Sequence, residues 1–297
     1  MKTRYAGKYN LTRMTKNPQK TRGDGRSRDD GAPESCGILR RPVIEVRDLV
    51  GGYGDDIILN HLSFKVFQSE ILVILGGSGS GKSTLLKHLI GLLTPASGEI
   101  LIEGEDIYRC NDPTFKRILR KIGVLYQSSA LLGSMTLAEN VALPLEEYTD
   151  LPRGALDALV RMKLNQVGLA GFENYLPAEL SGGMKKRAGL ARAMALNPKI
   201  LFFDEPGAGL DPVTAAGIDH LIRRMNQSLR TTMVIVTHEL PSIFALAHRV
   251  IMLDQRIKGI IAEGDPKHLR DHAEDPYVKR FFNRESEQAL PVEGEGR

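Results

Sequence analysis

The chain has no tryptophan, and aromatic residues make up only 6% of its 297 positions. That scarcity argues against an aromatic cage for a sugar or a quaternary amine. Two cysteines, Cys36 and Cys110, are too few for a disulfide framework or a zinc cluster, so the cytosol is the simplest compartment. Glycine apart, no apolar run exceeds five residues. A membrane helix needs about 20, so the chain is not expected to cross a bilayer unaided. The N-terminus lacks the apolar stretch of a secretory signal. What is present is an ordinary globular composition, 42% apolar and 26% charged, enough for a sizeable core.

The net charge of +4 is unevenly spread. Residues 1–41 hold 11 Lys/Arg against 4 Asp/Glu, and the remainder 29 against 32. The first segment is poor in apolar residues and reads as a disordered basic arm: a solvated tail, or a contact for anionic lipid or nucleic acid. Folding is expected from about Pro42. Ile44 and Val46 alternate with polar residues, as do Phe64 and Val66, which suits half-buried strands. Ile71 to Leu75 is apolar on both faces, as in a central parallel strand, and Ile200–Phe203 and Met233–Val236 read alike. A helix is expected from about Lys82 to Leu93, and another after Asp211-Pro212. Residues 128–196 read as a mostly helical insertion, with Thr136 and Glu139 at capping-box spacing. The last residues, from Pro291, read as mobile. Strands alternating with helices give an α/β fold with a parallel sheet.

Gly76-Gly77-Ser78-Gly79-Ser80-Gly81-Lys82-Ser83, followed by Thr84, fits the P-loop pattern between a buried strand and a helix. Backbone N–H groups must turn inward around phosphate oxygens, and glycine tolerates the angles and the close approach. The helix that begins near Lys82 points its positive end at the same anion. Lys82 supplies a mobile charge for the β- and γ-phosphates, and Ser83 a hydroxyl for Mg²⁺. This loop indicates a nucleoside triphosphate without choosing among kinases, GTPases and ATPases.

Ile200 to Phe203 leads into Asp204 and Glu205 at the strand end, where an open α/β sheet presents ligand groups. Asp204 is assigned to Mg²⁺ and Glu205 to polarising the attacking water. Ser181-Gly182-Gly183 opens a helix and forms a second anion-facing start. Gln127 and His238 each follow an apolar stretch.

Together these residues resemble the ATP-binding subunit of ABC transporters over about residues 43–270. The resemblance makes Tyr53 the adenine-stacking aromatic and Gly76–Ser83 the Walker A loop. Gln127 becomes the Q-loop, adding a ligand to Mg²⁺, and Ser181–Gly183 the signature. Asp204 and Glu205 close Walker B, Gly209-Leu210-Asp211 is the D-loop, and His238 is the switch histidine. It implies a RecA-like core with a small antiparallel β subdomain and an inserted helical subdomain, acting as an ATPase. It further implies a head-to-tail dimer with two ATP molecules between the copies, a multi-span membrane permease, and no nucleic acid. The chain departs from the family's pattern at Met184, where Gln is usual, at Ser69-Glu70, where Gly-Glu is common, at Gly207-Ala208-Gly209 and at Glu239.

A narrower resemblance rests on Leu131, Leu132, Met135–Val141, Pro144-Leu145, the signature with Met184 and Lys185-Lys186-Arg187, and the ending Ala262–Pro266, Asp275-Pro276 and Phe281–Asn283. These are similar to the MCE-linked (Mla-type) lipid transporters. That likeness implies an MCE-domain lipid-binding partner and phospholipid movement, with the chain on the cytoplasmic face of the inner membrane. Transport of another solute, or an ABC ATPase outside transport, are the alternatives.

Overall fold

A computed structural model describes residues 41–285. All but Arg41 of the basic arm expected at residues 1–41, and the end from Pro291 expected to be mobile, lie outside the described residues.

The described residues begin with strands β1 (Pro42–Tyr53) and β2 (Asp56–Phe67), then β3 (Ile71–Gly76), helix α1 (Lys82–Leu89), β4 (Ser97–Ile102) and β5 (Glu105–Asp106). Helix α2 (Asp112–Leu119), strand β6 (Ile122–Leu125) and helices α3 (Leu137–Tyr148), α4 (Arg153–Gln166) and α5 (Gly182–Ala193) follow. The rest alternates: β7 (Ile200–Asp204), α6 (Pro212–Leu229), β8 (Thr232–Val236), α7 (Leu240–Leu246), β9 (Arg249–Asp254) and β10 (Gly259–Gly264), before α8 (Pro266–His272) and α9 (Pro276–Asn283). Among the described residues, no helix is long and apolar enough to cross a membrane.

Two sheets form. One is antiparallel in the order β2-β1-β4-β5; the other runs β10-β9-β3-β8-β7-β6 and is parallel except at β10. The five-residue apolar run of β3 is buried throughout because both faces of this sheet are covered. Leu72, Ile74, Phe202 and Val234 face a core shared with β1, β2, β4 and α1, while Val73, Leu75, Leu201 and Phe203 face the core built by α3 to α9. α8 and α9 add Leu269, Val278 and Phe282 to that second core, so the C-terminal helix docks on its own chain.

The parallel register matters most for function. Ile74 pairs with Val236, Val236 with Asp204, and Phe203 with Leu125. The segments leaving β3, β8, β7 and β6 therefore emerge side by side at one carboxyl edge, with neighbouring strands about 4.8 Å apart.

Several local readings change. α1 ends at Leu89, not Leu93. Gly91 takes φ +79°, Leu92 N–H and Leu93 N–H both turn back to Lys87 O, and Tyr108 donates its hydroxyl to His88 O and Leu93 O, so the helix is closed before Thr94-Pro95. α5 stops at Ala193, three residues before the end of the helical insertion expected over residues 128–196. Ser69, at a position where glycine is common in the family, adopts φ +61° and holds it by donating Oγ to Arg230 O while its N–H meets Thr232 Oγ1. The adjacent Glu70 is buried and meets Arg249 in two parallel bonds, Nε–Oε1 at 2.8 Å and Nη2–Oε2 at 3.0 Å.

Candidate nucleotide site

The loop from Gly76 to Gly81 is shaped by what surrounds it. At Gly76, φ is +149° and a Cβ would stand 2.4 Å from Leu253 O and 2.6 Å from Ser80 Oγ. At Gly81, φ is +94° and a Cβ would meet Leu59 Cδ2 at 2.7 Å. Lys82 begins α1 and folds its ammonium back onto the loop, donating to Gly76 O at 2.9 Å and Gly77 O at 2.7 Å. Burial lowers the pKa of this ammonium, opposed by the nearby charges of Glu205 and Asp204. Ser80 Oγ is buried without a hydrogen-bond partner. Thr84 is buried in the first turn of the helix. Tyr53, 46% exposed at the end of β1, stands over the same helix, its hydroxyl 2.9 Å from Lys87 Nζ.

The acids arrive from β7. Burial raises the Asp204 carboxyl above its ordinary range, and the charge of Glu205 adds to this. Glu205 is the next residue and has the left-handed φ of +47°, unusual for a non-glycine residue. Its Oε1 accepts from His238 Nδ1 at 2.7 Å, and its Oε2 is buried without a partner. His238, from the segment after β8, is itself exposed. Gln127, after β6, has an exposed side chain and a backbone carbonyl held by Lys186.

One edge of the sheet thus gathers Lys82, Asp204, Glu205, His238 and Gln127. Ser181, Gly182 and Gly183 stand at the start of α5. Ser181 caps α5, accepting from Met184 N at 3.3 Å, and the two glycines face Leu210, just before α6, and Thr214 in its first turn. Met184 packs against the core, which gives that departure from the usual Gln an apolar role.

Three residues near the loop were not legible as site residues. Gln255 lies beside Gly79, the Tyr277 hydroxyl lies against Gly77, and Arg256 stacks over the Tyr277 ring at 5.3 Å. Their signal is tertiary: β9 and α9 are brought to the loop by the fold, from far along the chain.

A glycine loop with an open middle, a folded-back ammonium and a buried, orphaned hydroxyl, opposed by two carboxylates, is the chemistry of a bound polyphosphate. The family description "ABC transporter" matches residues 59–208. The chain is an ABC transporter ATP-binding protein. Its nucleotide-binding fold hydrolyses ATP. It is 40% identical to the intermembrane phospholipid transport system ATP-binding protein MlaF of Haemophilus influenzae over 84% of this chain and 93% of that protein. It is 41% identical to the probable ribonucleotide transport ATP-binding protein mkl of Mycobacterium leprae over 81% and 69%. Among solved structures, it resembles the dimeric post-hydrolysis ATP-binding cassette MJ0796 bound to ADP and Pi, with a TM-score of 0.68 and 30% identity over 75% of this chain and 98% of that one. It also resembles cbiO1 of Clostridium perfringens, part of the ABC transporter complex cbiONQ, with a TM-score of 0.71 and 28% identity over 78% and 91%. The ABC ATPase fold expected from the motifs, a largely parallel sheet beside an antiparallel one, is the fold observed.

Proposed function

We propose that this ATPase energises phospholipid movement between membranes, seated on a multi-span permease with an MCE-domain lipid-binding partner. The observation that carries this reading is the likeness to MlaF across 93% of that protein's length. An apolar groove of about 350 Å³ supports a membrane partner: Leu92, Tyr126, Pro144 and Tyr148 line it, next to Gln127. A cytoplasmic helix of the permease is the occupant we assign to it, which puts the chain on the inner face of the membrane. A second reading, ribonucleotide transport, is favoured by the mkl relatives at a similar identity.

The site's division of labour follows from its chemistry. Gly76–Ser83 and Thr84 cradle the phosphates, with Lys82 as the counter-charge and Tyr53 against the base. Ser83, Asp204 and Gln127 would hold Mg²⁺. Among the described residues, no group of three His, Cys, Asp or Glu is placed to hold a metal, which suits an ion sharing its shell with phosphate oxygens. When bound, that ion offsets charge on the phosphates. Glu205 orients and polarises the attacking water, and His238 fixes the carboxylate through Oε1. Ser181–Gly183, exposed at their first two positions, serve a second copy of the chain, head to tail.

Co-purification from membranes, with mass spectrometry of bound proteins and small molecules, tests the reading. Recovery of an MCE-domain protein and phospholipid supports it. Recovery of a permease carrying ribonucleotide and no phospholipid refutes it in favour of the second.

A further inference from the structure

Lys186 lies just over one turn into α5 and is 5% exposed. Its ammonium bridges two main-chain oxygens, donating to Gln127 O at 2.6 Å and to Glu205 O at 3.1 Å. Burying an ammonium is costly and neutral carbonyls compensate only through good geometry. A residue chosen for packing alone has no reason to carry that charge.

The two carbonyls belong to strained or exposed segments. Glu205 is left-handed, and its backbone is fixed at both ends: its N–H donates to Val236 O at 2.9 Å and its C=O accepts from Lys186. Past Gln127, Ser129 and Ala130 are also left-handed, at φ +63° and +47°. There α5 supplies a second cation: Arg192 donates to Ser129 O at 2.9 Å and Ala130 O at 2.7 Å. Helix and loop are therefore gripped together at residues 127–130, and Glu205 hangs from the same ammonium.

We propose that Lys186 is a positioning residue for hydrolysis: it holds Glu205 in its left-handed turn and ties that turn to the Gln127 loop. The proposal rests on the reading of Glu205 as the water-polarising carboxylate. A displacement of α5 or of the loop is then passed to Glu205 through one side chain. Because both contacts are to main-chain oxygens, of Glu205 and Gln127, losing them shifts the carboxylate and the Gln127 loop while leaving the cradle of Gly76–Ser83 in place.

The test uses the full chain co-purified with its membrane partners, as Lys186→Met, Lys186→Arg and Lys186→Gln, with Glu205→Gln alongside. A misplacement of about 1 Å costs up to about 10²-fold, so K186M lowers kcat between about tenfold and 100-fold. KM for Mg-ATP and the Kd of a fluorescent ATP analogue stay within about twofold, the pattern of a loss confined to the transition state. K186R, whose fork also reaches two acceptors, recovers kcat to within about threefold. Unaltered kcat in K186M overturns the proposal. So does a parallel change in kcat and KM that K186R does not rescue, which marks a purely structural brace. Should K186M fail to fold, K186Q takes its place under the same criteria. A Glu205→Gln variant that hydrolyses at the unmodified rate removes the underlying reading; an impaired E205Q beside an unimpaired K186M removes the proposal alone.

Discussion

Replacing Glu205 with glutamine separates the chemistry from the fold. The side chain keeps its length, and its amide oxygen still accepts from His238 Nδ1, now at 2.7 Å from Oε1. The second oxygen, buried without a partner, becomes an amide in the place where a water would be polarised. Loss of a general base costs about 10²–10⁴ in rate, or about 2.7–5.5 kcal/mol of barrier. The fold should not suffer. Glu205 is one of the causes that raise the Asp204 carboxyl, so removing its charge lets Asp204 titrate lower and leaves stability level or higher. Phosphate release by the assembled complex gives the rate, and thermal unfolding gives the stability. Mg-ATP at about 100 times Kd adds about 2.7 kcal/mol to the variant as to the parent. For a domain of this size that is a rise in Tm of about 5–11 °C. An unmodified rate in E205Q would refute the assignment of the base, and a lost nucleotide shift would show that Glu205 acts in binding instead.

Glu70→Ala removes one partner of a buried ion pair, a change that costs about 3–5 kcal/mol. The low end is expected, because Arg249 still faces Glu263 and reaches solvent; Tm then falls by about 6–12 °C, read by calorimetry. Asp219, buried beside Ser242, has its carboxyl raised by that burial. A raised carboxyl favours the fold below its unfolded value of about 3.9 and loses that contribution as pH climbs through the folded pKa. Asp219→Asn should therefore stabilise at pH 8 and give no gain near pH 3, in paired melts. Gly76→Ala pushes a methyl into Leu253 O from a left-handed backbone and should abolish the Mg-ATP thermal shift, while Gly104→Ala, with open space at its Cβ, keeps it.

The candidate site proposed for the nucleotide was largely legible in the sequence because its parts are local. A glycine loop between an apolar run and a helix, and two acids at the end of another run, declare themselves within a few residues each. The order of the strands was not visible, and it is what sets Gly76, Gln127, Glu205 and His238 on one edge. Lys186 escaped for the same reason: it reaches carbonyls 59 and 19 residues away, and a lysine after the signature reads as a solvated charge. The early end of α1 depended on Tyr108, a side chain from beyond the helix that takes up its last carbonyls. Ser69 shows the converse, a position where the usual glycine's conformation survives because two tertiary hydrogen bonds hold it.

The most direct measurement of the central claim is a crystal structure of the E205Q chain with Mg-ATP. Lys82 should release the Gly76 and Gly77 carbonyls it now holds and turn to the phosphates, with Ser83 and Asp204 on the same cation. A triphosphate bound away from Gly76–Ser83, or a cation that Asp204 does not reach, would contradict it.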